Sequence, residues 1–160
     1  ESWGQFNTLN ICNWIEKYDP TRLVDGPSGW IDFPGAGNVQ DMHKYPGPGI
    51  PESKGDNRAL VLGEYGGLGL PVEGHTWQQA KNWGYVSYKN QEELRQAYIK
   101  LIDQLPALIK QGLSAAVYTQ LSDVEIEVNG FMTYDRKVEK LMSEETAEKN
   151  RSVYQVKIAE

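Results

Sequence analysis

The chain has 160 residues, 39% of them hydrophobic, enough for one domain with a sizeable buried core and too apolar for a disordered one. Sixteen basic residues stand against 22 acidic ones, a formal charge of −6 with no basic run, which argues against nucleic acid or an anionic membrane as the main partner. Cys12 is the single cysteine, so there is no disulfide framework and no thiolate metal cluster, and no apolar run approaches the ~18 residues of a membrane span.

Phe6, Leu9, Ile11, Cys12, Trp14, Ile15 and Tyr18 recur at helical spacing and predict a helix over about 5–18 with a buried thiol at Cys12. Asp19-Pro20 ends it, because proline disfavours the helical region for the residue before it. Residues 22–25 read as a short strand closed by Gly26-Pro27-Ser28-Gly29, and 39–43 as a second, followed by Pro46-Gly47-Pro48-Gly49. Residues 59–63 form a continuous apolar run, expected to be buried on both faces as parallel strands are. From Gln91 to Gln111, Leu94, Tyr98, Leu101, Ile102, Leu105, Leu108 and Ile109 line one helical stripe that Pro106 kinks or divides and Gly112 caps. Residues 115–118 read as a fourth strand, and Glu139 to about Val153 as a charged amphipathic helix. Short apolar strands alternating with helices predict an α/β fold with parallel pairing.

The carboxyl ends of these strands carry Asp25-Gly26, His43-Lys44-Tyr45, Glu64-Tyr65-Gly66 and Thr119-Gln120, and that end is where parallel α/β scaffolds place their sites. Glu64 is the leading candidate, an acid at the end of Leu60-Val61-Leu62 with glycines around it that would leave room for a ligand. A carboxylate there can act as base, metal ligand or nucleophile, or be a loop acid satisfied by backbone donors or an arginine. Glu1, just before the first helix, is a candidate partner. His43 and Tyr45 end the strand before Glu64, either packed on a proline-rich loop or bonded to the carboxylate. Trp30, Trp77 and Trp83 follow strand ends, as sugar platforms or as rings buried under loops, and Gln120 is well placed for a substrate. His75 has no second ligand at metal spacing, so no metal is expected. Asp123, Glu125 and Glu127 alternate with apolar residues and would form a solvated edge, with a calcium site or sugar contacts as alternatives. The acids of Glu144-Glu145 and Glu148 read as a solvated helix face.

Several of these stretches resemble one family. ESWGQF at 1–6 is similar to the tail of the Asn-Glu-x-Trp-Gly motif that carries the acid/base glutamate of family 2 glycoside hydrolases, the β-galactosidase and β-glucuronidase group. GEYGG at 63–67 resembles that family's nucleophile sequence, DPTRLVDGPSG at 19–29 its fifth strand, and Asn129-Gly130 to Asp135-Arg136-Lys137 the segment after its eighth. The resemblance implies that residues 1–160 are a partial catalytic domain, the C-terminal half of a (β/α)8 barrel from the fourth helix to the eighth. The first four strands, the preceding β-sandwich domains and the motif's Asn would then lie outside this chain, and the chain alone would be inactive. It further implies that Glu64 is the nucleophile and Glu1 the acid/base, with His43 and Tyr45 bonded to the nucleophile or a sugar hydroxyl and Trp3 shaping the pocket floor.

Retaining hydrolysis needs such a pair, one carboxylate to attack the anomeric carbon and one carboxyl to protonate the leaving oxygen, ~5 to 5.5 Å apart. The implied activity is cleavage of a terminal β-linked sugar through a glycosyl-enzyme intermediate. The carbohydrate would contact His43, Tyr45, Trp77 and Gln120, and no cofactor or metal would take part. Two other readings stay open: a non-catalytic carbohydrate-binding or structural half-barrel, and a related barrel such as a cellulase or mannanase. A homodimer through open half-barrel edges is expected, since unpaired strand edges in an apolar setting are costly. Compartment is left open, a periplasmic or secreted parent enzyme fitting as well as a cytoplasmic one.

Overall fold

The computed structural model of the chain describes residues 5–158. In chain order the elements are α1 (Thr8–Tyr18), β1 (Val39–Lys44), β2 (Ala59–Gly66), β3 (Leu68–Gly69), β4 (Val86–Ser87), α2 (Gln91–Ile102), α3 (Leu105–Lys110), β5 (Leu113–Thr119) and α4 (Glu144–Val153). The fold is mixed α/β around a parallel sheet ordered β1-β2-β5, with a second parallel pair, β3-β4, beyond its carboxyl end. The strand expected at 22–25 is reduced to one parallel bridge, Asp25 to Val39, because Val24 spends its backbone on Asn38: its N–H donates to Asn38 Oδ1 at 2.8 Å and its carbonyl accepts from Asn38 N at 2.7 Å.

The core lies on one face of the sheet. Leu62 of β2 and Leu113 of β5 meet Leu94, Tyr98, Leu101 and Ile102, whose spacing puts them on one side of α2, and Leu105 of α3. Asn90 caps α2 by accepting the N–H of Glu93 at 2.9 Å, and Glu92 and Glu93 in the first turn complement the positive end of the helix dipole. Pro106 divides the predicted stripe rather than kinking it: α2 ends at Ile102, and proline, which has no N–H to lose, sits in the first turn of α3. Gly112 then takes φ 109°, a conformation that suits glycine, as the chain turns into β5. Burial of β2 on both faces does not hold: Leu62 is fully buried, while Ala59, Leu60 and Val61 remain half-exposed.

The first and last helices depart from expectation in instructive ways. The predicted helix over 5–18 forms from Thr8 to Tyr18, but only Cys12 is buried, against Val24 and Ala36, and Trp14 and Tyr18 stack on each other in solvent. The rest of the stripe, Phe6, Leu9, Ile11, Trp14 and Tyr18, is left exposed. The predicted start of the last helix at Glu139 is corrected to Glu144, since Ser143 caps it by accepting from Thr146 N at 3.1 Å and the preceding Lys140 and Leu141 are drawn into the core. Glu144, Glu145 and Glu148 face solvent as expected, and α4 also reaches α2 through Glu145 to Arg95 at 3.1 Å and Lys149 to Asp103 at 2.5 Å. No helix among the described residues is long and apolar enough to cross a membrane.

The three acids at 123, 125 and 127 do not share an extended face. Glu125 adopts φ 50°, reversing the chain, and Val124 and Glu127 exchange backbone hydrogen bonds at 3.1 and 2.9 Å around it. Asp123 turns inward to a buried ion pair with Lys140, whose ammonium donates to Asp123 Oδ1 at 2.7 Å, Val128 O at 2.9 Å and Leu70 O at 3.1 Å. All three ammonium protons are thereby used, the condition under which a buried lysine is tolerated. Burial pushes the Lys140 ammonium down and the Asp123 carboxyl up, each opposed by the other's charge.

Candidate active site

Glu64 stands at the carboxyl end of β2 with its side chain 37% exposed, the one acid of the sheet that is both held and open. Its Oε2 accepts a short hydrogen bond from the Tyr45 hydroxyl and lies 3.3 Å from His43 Nδ1. Tyr45 and His43 come from the end of β1, which pairs in parallel with β2 and sets His43 directly beside Glu64. The Tyr45 oxygen also lies 2.9 Å from Thr119 Oγ1 at the end of β5. Tyr45 has one proton, already given to the carboxylate, so Thr119 supplies the proton of the second bond. Burial, with the bond to Glu64 added, pushes the Tyr45 hydroxyl far above its ordinary range, so the group stays protonated and remains a donor. The adjoining peptide, Thr119-Gln120, is cis.

Aromatic rings pack on both residues that approach the carboxylate. Tyr85 stacks on Tyr45 with ring centroids 3.6 Å apart and planes within 2°, and Trp83 meets Tyr85 edge-on at 5.3 Å. Trp83 is held by its backbone, donating to Ile126 O and accepting from Val128 N, both at 2.9 Å. Trp30 meets His43 edge-on at 5.7 Å. The loop that carries Trp30 is fixed by Arg58, which grips Asp32 with two hydrogen bonds at 2.7 and 3.1 Å. Trp30 and Trp83 remain 55% and 42% exposed, rings presented rather than buried.

The glycines around Glu64 do not leave room for a ligand; protein side chains occupy it. A Cβ on Gly67 would come within 2.4 Å of the Tyr85 ring, and one on Gly63 within 2.4 and 2.5 Å of the two oxygens of Asp41. Asp41 is buried and held by several donors, so it cannot swing aside. Gly63→Ala is therefore expected to cost about 1–3 kcal/mol of stability, seen as a lower denaturant midpoint at unchanged slope.

The remaining sequence candidates fall in different places. Gln120 is tied to Asn129, donating through Nε2 to Asn129 Oδ1 at 2.8 Å, and Asn129 donates in turn to Glu127 Oε1 at 2.7 Å. Trp77 packs edge-on against Tyr134 at 5.0 Å, in a loop that His75 pins to Asp135 at 2.9 Å. Hydrogen bonds from His75 and Thr133 hold the Asp135 carboxyl down at about 2. Glu1 and Trp3 lie outside the described residues. Among those described, no group of three His, Cys, Asp or Glu side chains could hold a metal ion.

Sequence reasoning gave no role to Asp41, Ser28 or Tyr85, and named Thr119 only as a strand-end residue. Asp41 had a signal: it lies two residues before His43 on the same strand, a spacing that puts both side chains on one face. Nearby Asp25 is pushed up to about 6 by the burial of part of its carboxyl and the charge of Asp41, against the pull of His43. Comparison with protein-family models gives no match, and comparison with curated proteins gives none.

Proposed function

We propose that this chain carries the nucleophile of a retaining β-glycosidase, and that the Asp25 bridge, β1, β2 and β5 are four consecutive strands of a (β/α)8 barrel. The observation that carries the reading is the carboxylate of Glu64, half-open at a parallel strand end, with the Tyr45 hydroxyl bonded to one oxygen, His43 3.3 Å from that oxygen, and exposed tryptophans packed against His43 and Tyr85. Structural acids are commonly closed off by arginine or backbone donors; here one oxygen is held and the other is left to react. The uncovered stripe of α1 and the second edge of β5 support the barrel, because both are surfaces that neighbouring βα units would cover.

In this mechanism the contacts to Oε2 leave Oε1 to attack the anomeric carbon. The bond from carbon to the leaving oxygen breaks as the bond to Glu64 forms, and the acid/base carboxyl, assigned to Glu1 by its motif, gives its proton to the leaving oxygen. Water, deprotonated by that same carboxylate, then attacks the anomeric carbon and frees Glu64, so configuration is retained. Tyr45 fixes the direction of the carboxylate and, being a neutral donor, stabilises its charge whenever it is free. Trp30 and Trp83 offer flat apolar faces to the C–H faces of a pyranose.

Covalent trapping tests this. The full-length protein that contains this chain, incubated with 2-deoxy-2-fluoro-β-glycosyl fluorides of several sugars, should gain the mass of one fluorosugar, and peptide mapping should place it on Glu64. Label on another carboxylate, or hydrolysis of aryl β-glycosides with inversion, would remove the assignment.

A further inference from the structure

Asp41 is the most heavily engaged carboxylate beside the site, and the mechanism above gives it no task. Its side chain is fully buried. Oδ1 accepts the N–H of Gly63 at 2.6 Å, while Oδ2 accepts from Gly29 N at 3.1 Å and Ser28 Oγ at 3.0 Å and lies 3.1 Å from His43 Nε2. The pairing of β1 with β2 shifts at this level: Met42 faces Leu62 and His43 faces Glu64, so Gly63 is the extra residue of a bulge. Such a residue is left out of the ladder, and its N–H needs another acceptor. Asp41 is that acceptor. The same carboxylate therefore binds the backbone just before Glu64 and the imidazole that touches the Glu64 side chain.

We propose that Asp41 is a positioning residue for the nucleophile: it fixes the bulge at Gly63 and takes the Nε2–H of His43, a nitrogen that also lies 3.1 Å from Ser28 Oγ, and so holds the ring in place beside Glu64. This rests on the reading of Glu64 as the nucleophile. The imidazole has two nitrogens, and the acceptor on one decides what the other offers. A side chain at residue 63 would collide with Asp41, and the bulge aims Glu64 beside His43 instead of one residue further along. Asparagine in place of Asp41 keeps the shape and reverses half of the chemistry. Its amide oxygen is expected to take the short bond from Gly63 N, leaving the amide N–H facing His43 Nε2, a donor where an acceptor stood.

The test reads the proton directly. The chain has two histidines, so 15N-histidine labelling with a His75→Gln variant assigns His43 by elimination, and two-bond nitrogen–proton correlations report which ring nitrogen carries hydrogen. Wild-type chain is expected to show a proton on Nε2, and Asp41→Asn to move it to Nδ1. In the full-length enzyme Asp41→Asn is expected to lower kcat roughly 10- to 100-fold, as the loss of a supporting group behind a reacting one commonly does, with KM little changed. A wild-type Nε2 without a proton overturns the role of Asp41 and leaves the nucleophile assignment standing, and needs no variant at Asp41 to fold. Asp41→Asn with unchanged tautomer and unchanged kcat also overturns it. Full turnover by Glu64→Ala would overturn both.

Discussion

On the proposed reading of Glu64 as a glycosidase nucleophile, replacing it by alanine in the protein that contains this chain is expected to lower turnover of aryl β-glycosides by ~10⁴-fold or more, the scale seen when a covalent nucleophile is removed. The loss follows from the site's geometry. Glu64 is the acid that β2 delivers to the open end of the sheet, and with it gone the Tyr45 hydroxyl and His43 converge on empty space. Added azide should restore part of the rate. It is small enough to enter where the carboxylate stood, and from there it attacks the face of the sugar that Glu64 attacks, forming a nitrogen–carbon bond as the aryloxide departs. The product is then an α-glycosyl azide, inverted relative to the substrate. A β-azide would mean that the removed group was the acid/base, and turnover equal to wild type would sink the assignment. The stereochemistry of the product thus separates the two carboxylate roles, which the rate alone does not.

How much of this was readable in the residues depended on the range of the interaction. Glu64 was legible because its cue is local, an apolar run of strand length ending in an acid and glycines, and the closeness of Tyr45 followed once its strand was placed beside that of Glu64. What fills the space around the glycines was not legible. Gly63 and Gly67 signal close approach without saying what approaches, and the answer is Asp41 and Tyr85 rather than a ligand. The alternation Asp123-Val124-Glu125-Ile126-Glu127 has the period of a strand, yet one residue at positive φ turns it into a tight reversal, and period carries no information about the sign of φ. The stripe of α1 was read correctly as a helix with a buried thiol at Cys12, but how little else of it is buried was not legible, since periodicity reports which residues could face a core and not whether a core is there. Lys140 gave no warning, sitting in a stretch whose charged pattern reads as the start of an exposed helix.

That lysine carries the second large effect. Lys140→Met is expected to destabilise the chain by about 3–5 kcal/mol, because it leaves Asp123 ionised and buried with no cation. Gly130 N would still donate to Asp123 Oδ1, at 2.8 Å, which satisfies geometry but not charge. The double variant Asp123→Asn/Lys140→Met should regain at least half of the loss, since asparagine can still accept from Gly130 and needs no counter-ion. pH supplies an independent check. Burial already raises the Asp123 carboxyl in the wild type, with Lys140 pulling it back, and removing Lys140 removes that pull. The folded-state value then lies above the unfolded one of roughly 3.9, so the folded protein holds a proton that the unfolded chain releases. Relative to wild type, the deficit should be smallest near pH 4 and widen as pH rises. A deficit that is flat with pH, or a double variant as unstable as the single, would mean that lost packing rather than the uncovered charge is responsible. The consequence reaches the site, because Lys140 fastens the 123–130 reversal, and that reversal holds Trp83 through Ile126 and Val128. Below its unfolding temperature the single variant should therefore show a weakened near-ultraviolet circular dichroism signal from the Trp83, Tyr85 and Tyr45 rings, linking an ion pair outside the site to the wall beside Glu64.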